Sequence, residues 1–321
     1  MSASYERGEK IESTWRGRMS RGQMRVLQIA VSLGLLALLY FTLDGAEAAR
    51  ILSRADPRWL VLGWAVMVVQ TLLSALRWKL IAADLGQSFT FWKAQSEYFM
   101  SQVLNQSLPG GMMGDAGRAY RARKQAGLLK ASQAVVFERI AQQAGMFAIF
   151  AGTFVVTTIL PGGLRWPVWL TSITTPALLI GLALPAVFWL TSYLPGPQRR
   201  YLESLKSALW VSLLKPRRLP VHVLLSLITS GCNILAFYAC ARAIGTELPL
   251  AATLGLVPLI LFMMLVPFTI AGWGLREGAA ATIFPVAGAS GSAGLAASVA
   301  FGLIFLAAVL PGLWPILKRR K

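Results

Sequence analysis

The chain has 321 residues, of which 56% are hydrophobic and only 14% charged, and it carries a formal net charge of +18. A mean hydropathy of +0.59 excludes an ordinary water-soluble protein of this length, so the long apolar runs are read as spans of a bilayer core about 30 Å thick. The basic residues punctuate those runs and form no continuous stripe, which argues against nucleic acid and for anionic lipid headgroups as partners.

In chain order, a polar leader at 1–25 carries Arg7, Lys10, Arg16, Arg18, Arg21 and Arg25, followed by an apolar segment at 26–43. Ala46-Glu47-Ala48 imitates a signal-peptidase site, but the apolar run exceeds the roughly 7–15 residues of a signal core, so an uncleaved anchor is expected. A second span at 59–76 stops at Arg77 and Lys79. The stretch 93–111, with Gln95, Glu97, Gln102, Asn105 and Gln106, is too polar to face lipid. A basic loop with Arg118, Arg121, Arg123, Lys124 and Lys130 follows, and then a helix from about residue 131 that turns fully apolar after Ile140.

Another span is expected at 168–193, then an amphipathic basic segment at 198–218 lying at headgroup level. Residues 221–241 span again. They hold Cys232 and Cys240, which a helical rise of roughly 12 Å keeps beyond disulfide reach, so both are read as small packing residues. The region 250–289 is apolar but broken by Pro258, Pro267, Gly272, Gly274 and Pro285, and a last span at 293–317 ends in the basic tail 318–321. Tryptophans near span ends (Trp59, Trp78, Trp166, Trp169, Trp314) fit an interfacial belt.

Two of the breaks share a pattern. Pro109 is followed by Gly114 and Arg118, and Pro267 by Gly272 and Arg276, both reading Pro-x4-Gly-x3-Arg. Composition makes a second match expected only about 0.1 times by chance, so an internal repeat is inferred, with halves at about 59–165 and 220–317 of one transmembrane domain, 26–317. A threading with both termini cytoplasmic places 24 of the 31 Lys and Arg on the cytoplasmic side and five on the other, leaving Arg139 and Arg276 within helices. The two broken elements then enter from opposite faces, as in an inverted repeat. The expected fold is an all-α polytopic membrane bundle of about six full spans plus two broken or re-entrant hairpins, the breaks facing each other inside the protein.

Arg276 and Glu277 are the sharpest candidates for chemistry, since an ionisable pair in an apolar stretch is costly and faces a pathway or a partner; the bland alternative is an ion pair that holds the hairpin. Arg118 gains weight from its correspondence with Arg276, although its basic neighbours look like loop charges. Asp115 follows the Gly-rich bend and suits a helix cap more than a substrate contact. Asn105 either satisfies a carbonyl freed by Pro109 or lines a cavity, and Glu138 and Arg139, opening a span, are expected to pair with Arg118 or Arg121. His222, the only histidine, is read as interfacial.

The run Asn105, Leu108-Pro109-Gly110-Gly111, Gly114-Asp115 and Arg118, continuing to Glu138-Arg139, resembles the hallmark of the flippase-like family called the lysylphosphatidylglycerol synthase transmembrane region. Gly272-Trp273-Gly274-Leu275-Arg276-Glu277 is similar to that family's second signature. The resemblance implies movement of an anionic phospholipid, or of a polyprenyl- or hopanoid-type lipid, between leaflets of a bacterial cytoplasmic (inner) membrane. It also implies a substrate route lined by Arg118, Arg276, Glu277, Asn105, Asp115, Gly110, Gly111, Gly114, Gly272, Glu138 and Arg139. The aminoacyl transfer of bifunctional relatives resides in a separate soluble domain, so a non-enzymatic role without metal or cofactor is expected, with a homo-oligomer or a lipid-biosynthesis enzyme as possible protein partners. Two alternatives stand beside it: a membrane-embedded lipid-modifying transferase, which would need an acidic metal cluster or a nucleophile with its base, and a scaffold for envelope lipid assembly.

Overall fold

A computed structural model describes residues 45–107, 112–160, 164–191, 198–266, 269 and 271–318, with isolated positions between 30 and 41. Among the described residues 87% are helical and none lies in a strand, so the all-α expectation holds. The main helices are α1 (Gly45–Ser53), α2 (Pro57–Asp84), α3 (Phe91–Ser107), α4 (Met113–Ile159), α5 (Val168–Leu190), α6 (Gln198–Leu209), α7 (Leu219–Ala243), α8 (Leu250–Phe262), α9 (Leu275–Ile283), α10 (Gly291–Val309) and α11 (Leu313–Lys318).

Five described helical segments are long and apolar enough to cross a membrane: α2, α4, α5, α7 and Gly291–Pro315, which contains α10. The segment Leu250–Leu265, containing α8, is apolar but shorter. The span expected at 26–43 lies outside the described residues except at scattered positions, as do Pro109, Pro267, Gly110 and Gly111.

Two boundaries differ from expectation. The second span does not stop at Arg77: α2 runs 28 residues to Asp84, a length of about 42 Å, because Arg77 faces inward and finds partners there. The basic segment after the first break is helix, not loop. It forms the first part of the 47-residue α4, which bends where Gly127 takes φ 83°, ψ 162°. A basic helix is stable here because its inward residues meet carboxylates and its outward ones reach the surface.

Local chemistry sets several helix starts. Asp56 accepts from the Arg58 N–H at 2.9 Å with Pro57 at the first helical position, and the Asp56 N–H donates to the Ala243 carbonyl at 2.7 Å, tying the start of α2 to the end of α7. Ser290 caps α10 by accepting from the Ala293 N–H. Lipid tails are as apolar as the side chains, so the helices are held by close packing and internal polar pairs. α10 is central, with 72% of its apolar window buried, whereas α5, at 11%, stands at the periphery. One core cluster gathers Phe237, Phe284 and Phe301 from α7, the turn after α9, and α10, and a second gathers Trp78, Tyr98 and Phe137 from α2, α3 and α4.

The order long span, short helix, break, helix occurs twice, as α2–α3–α4 and as α7–α8–α9–α10. In each case a positive-φ glycine follows the break, Gly127 within α4 and Gly288 after the short turn that succeeds α9. The long spans α2 and α7, which occupy corresponding places, pack against each other.

Candidate functional site

The first break is organised by Asn105 and Gly114. Near the end of α3, the Asn105 side-chain oxygen accepts from the Gly114 N–H at 2.8 Å and the Asp115 N–H at 3.3 Å, so it caps α4 from outside that helix. A Cβ on Gly114 would fall 1.9 Å from the Ser101 carbonyl oxygen, so only glycine lets α3 and α4 approach this closely. Asp115 is not the cap. Its carboxylate is taken up by side chains: it accepts from Ser101 at 2.9 Å, from Arg118 at 2.9 Å and from Arg139 at 2.8 Å.

These contacts belong to an alternating chain of charges, Arg77–Glu138–Arg118–Asp115–Arg139. Glu138 is shared by Arg77 at 2.9 Å and Arg118 at 3.4 Å, and Asp115 by Arg118 and Arg139. The Tyr98 hydroxyl also donates to Glu138 at 3.1 Å. Three guanidiniums against two carboxylates leave one positive charge. Arg77, Arg118 and Glu138 have fully buried side chains, while Arg139 at the chain's end keeps 31% of its side-chain surface. Buried charges are tolerated only when paired and hydrogen-bonded, and an alternating chain does this with few groups. Beyond its ion pair, Arg77 donates to Gln142, Ser226 and Thr229. The pairing of Glu138 with Arg118 matches the sequence expectation, although both residues of the Glu138-Arg139 pair sit within α4 and do not open a span.

Arg139 opens onto an internal cavity of about 130 Å³. Its polar lining is built of amides, Gln70, Gln102, Asn105, Gln106, Gln142, Gln143 and Asn233, with Arg139 and, among the described residues, no carboxylate. Met146, Leu261, Phe262, Met264, Phe301 and Phe305 supply its apolar lining. Asn105 and Gln106 precede the first break, and Met264, Leu265 and Ala271 flank the second. The edges of the two breaks therefore border one chamber.

The second break closes differently. Ala271 takes φ 49°, and Gly272 and Gly274 take φ 82° and 90°. A Cβ on Gly272 would lie 2.8 Å from the Met264 Cα, so both the backbone conformation and the space call for glycine. Glu277 accepts from the Gly274 N–H at 2.7 Å, closing the start of α9. Arg276 donates to Glu277 at 2.6 Å, to the Ser298 hydroxyl at 2.9 Å and to the Ser298 carbonyl at 3.1 Å, and its remaining nitrogen meets the Met264 sulfur at 3.8 Å. The guanidinium lies over Trp273 and Phe301, at 5.1 and 5.3 Å from the ring centroids. Gly302 makes the room, since a Cβ there would sit 2.5 Å from an Arg276 nitrogen.

The expectation that Arg118 and Arg276 point into one chamber is therefore corrected. Neither lines it: Arg276 is taken up by Glu277, Ser298 and aromatic faces, Arg118 is held by Asp115 and Glu138 between Trp78 and Tyr98, and Arg139 supplies the charge instead. Arg276 lies one side chain away, behind Met264 and Phe301. His222, expected at the interface, is buried with no partner for either ring nitrogen among the described residues, and Trp78 is likewise buried rather than part of a belt. Sequence reasoning missed Arg77, Tyr98, Gln70, Gln142, Gln143 and Asn233. Their one signal was polarity inside helices that otherwise read as apolar spans.

Fold and site together define a multi-pass helical membrane protein with a chamber lined by both amide and apolar side chains. The chain belongs to the family described as the lysylphosphatidylglycerol synthase TM region, which it matches over residues 25–312. No curated protein and no solved structure matches it. Family and helical bundle together make it an integral membrane, lipid-related protein.

Proposed function

We propose that the protein transfers an anionic lipid, a phospholipid or a polyprenyl-linked lipid, between the leaflets of a bacterial inner membrane, and that it works as a transporter and not as an enzyme. The observation that supports this reading is one chamber bordered by the edges of both breaks, lined by amides, one charge-bearing arginine and apolar side chains. Amide N–H groups donate to headgroup oxygens and amide carbonyls accept from headgroup O–H or N–H groups, and the apolar lining suits the start of an acyl or prenyl chain. Arg139 is the contact for the phosphate. It can exchange Asp115 for a phosphate oxygen while Asp115 keeps Arg118 and Ser101, so no buried carboxylate is left without a partner. Rocking of the two halves about the chamber would expose it to each leaflet in turn. The Lys and Arg asymmetry supports cytoplasmic termini.

Purified full-length protein in proteoliposomes, with a headgroup-labelled anionic phospholipid and an impermeant quencher, tests the reading. The wild type is expected to move label to the outer leaflet. Arg139→Gln, losing a charge-assisted contact worth roughly 1.5–3 kcal/mol, is expected to be slower by at least about tenfold. Transfer by Arg139→Gln at the wild-type rate, or no transfer by the folded wild type, overturns it.

A further inference from the structure

A second cleft, of about 330 Å³ and separate from the chamber, lies where the first part of α4 passes α2 and the start of α3. Five cations line it, Lys93, Arg118, Arg121, Arg123 and Lys124, against the single carboxylate of Glu97, which pairs with Arg121. Among the described residues no carboxylate pairs with Lys93, Arg123 or Lys124. Arg118 forms part of the wall with its side chain fully buried, and two of its nitrogens, Nε and Nη1, have no hydrogen-bond partner among the described residues. Its Nη2 alone serves Asp115 and Glu138, and its charge is held between the rings of Trp78 and Tyr98 at 4.6 and 4.5 Å. Arg121 likewise has one buried nitrogen, Nη2, without a partner among the described residues. Leaving buried donors unmade is costly, so their presence beside a strongly basic cleft points to a ligand that accepts them. Trp92 and Tyr120, both exposed, flank the region and suit the headgroup level of a membrane.

We infer that this cleft is a binding site for a phosphate group, in which Arg118 and Arg121 donate from the floor and Lys93, Arg123 and Lys124 neutralise charge at the mouth. The ligand class is a phosphomonoester, as a lipid headgroup or as a soluble phosphate ester. The inference does not rest on the transport reading, since it concerns binding outside the chamber. Arg118 is also the middle member of the charge chain, so an anion in the cleft is electrostatically joined to Arg139 through Asp115.

The test uses full-length protein in nanodiscs of phosphatidylcholine, with binding followed by tryptophan fluorescence and calorimetry. The probes are inorganic phosphate, glycerol 3-phosphate and short-chain phosphatidic acid. The triple variant Lys93→Gln, Arg123→Gln, Lys124→Gln alters only mouth residues outside the buried chain and so should keep the fold. It is expected to weaken binding by at least about tenfold, while Arg199→Gln with Arg200→Gln, on α6, leaves binding unchanged. Comparable binding of glycerol 3-phosphate and phosphatidic acid assigns a soluble phosphate ester, and binding of phosphatidic acid alone assigns a lipid. Absence of binding by every probe, or binding by the triple variant equal to wild type, overturns the site. Arg139→Gln, predicted to slow transfer, should leave cleft binding within about twofold, so failure of the transport reading and failure of this one are separable.

Discussion

Arg118 and Arg276 occupy the same place in a repeated sequence pattern, and both are fully buried, yet their surroundings differ in kind. Arg276 is matched one to one with Glu277, its donors are taken by Glu277, Ser298 and the Met264 sulfur, and its ring contacts close over it. Arg118 is the centre of a chain with three cations and two carboxylates, keeps two nitrogens without partners, and is linked at one end to a residue that faces a cavity. The second region is a latch that holds a turn of positive-φ residues in place. The first is an open circuit with a surplus positive charge. Burial of an arginine is therefore a poor guide to function by itself; what distinguishes the two is whether its charge and donors are balanced.

The difference is tested most severely by removing carboxylates. Glu138→Gln leaves Arg77 with no carboxylate and raises the chain's net charge from one to two, so it is expected to cost about 3–5 kcal/mol. Arg118→Met is expected to cost clearly less, because Arg77–Glu138 and Asp115–Arg139 remain as complete pairs. Chemical unfolding in mixed micelles measures both. Equal losses would contradict the assignment of surplus charge to this chain.

In the latch the asymmetry should vanish. Arg276→Met and Glu277→Gln each strand one buried charge and are expected to cost a similar amount, about 3 kcal/mol. The double variant restores neutrality and should be less destabilised than the sum of the singles by about 1–3 kcal/mol. An additive double variant would mean that Arg276 and Glu277 act separately.

Backbone approach and capping at the first break give smaller effects. Gly114→Ala forces a Cβ against the Ser101 carbonyl, so α3 must move from α4 at a cost of about 1–3 kcal/mol. Asn105→Ala removes the acceptor shared by two N–H groups at the start of α4 and should cost about 1 kcal/mol, while Asn105→Asp, which retains an acceptor there, should recover part of it.

These particular residues show where the sequence was readable. Membrane character, the helical fold and most spans follow from long apolar runs, because backbone groups in lipid must be satisfied within a helix. Arg276 and Glu277 were visible because charge in an apolar setting stands out, and Arg118 through its place in the repeated pattern; for Arg139 the sequence offered only a pairing role. Arg77 was not, since a charge close to the expected end of a span looks like a stop signal, and only packing against Glu138, Ser226 and Thr229 shows that it points inward. The amide wall was hidden for a related reason. Gln70, Gln142 and Asn233 come from three different helices, and a single amide in an apolar span carries no meaning until tertiary structure brings the others beside it. Asn105, expected to satisfy a carbonyl or line a cavity, does line the chamber and also takes the capping role expected of Asp115, because a cap can reach from the preceding helix, which sequence distance from the helix start conceals.

The least destabilising change separates the two regions most cleanly. Arg139 is the end member of the chain, keeps nearly a third of its side-chain surface, and its partner Asp115 retains Arg118 and Ser101 when it is gone. Removing it takes the chain from a surplus charge to neutrality, so Arg139→Gln should change stability by no more than about 1 kcal/mol. No comparable substitution exists at the latch, where among the described residues each member has only the other as its ionic partner. If Arg139→Gln keeps the unfolding curve of the wild type and yet slows lipid transfer, the surplus charge serves a passing ligand. A variant that unfolds as readily as Glu138→Gln would show instead that the chain is a closed structural element like the latch, and the distinction between the two regions would fall.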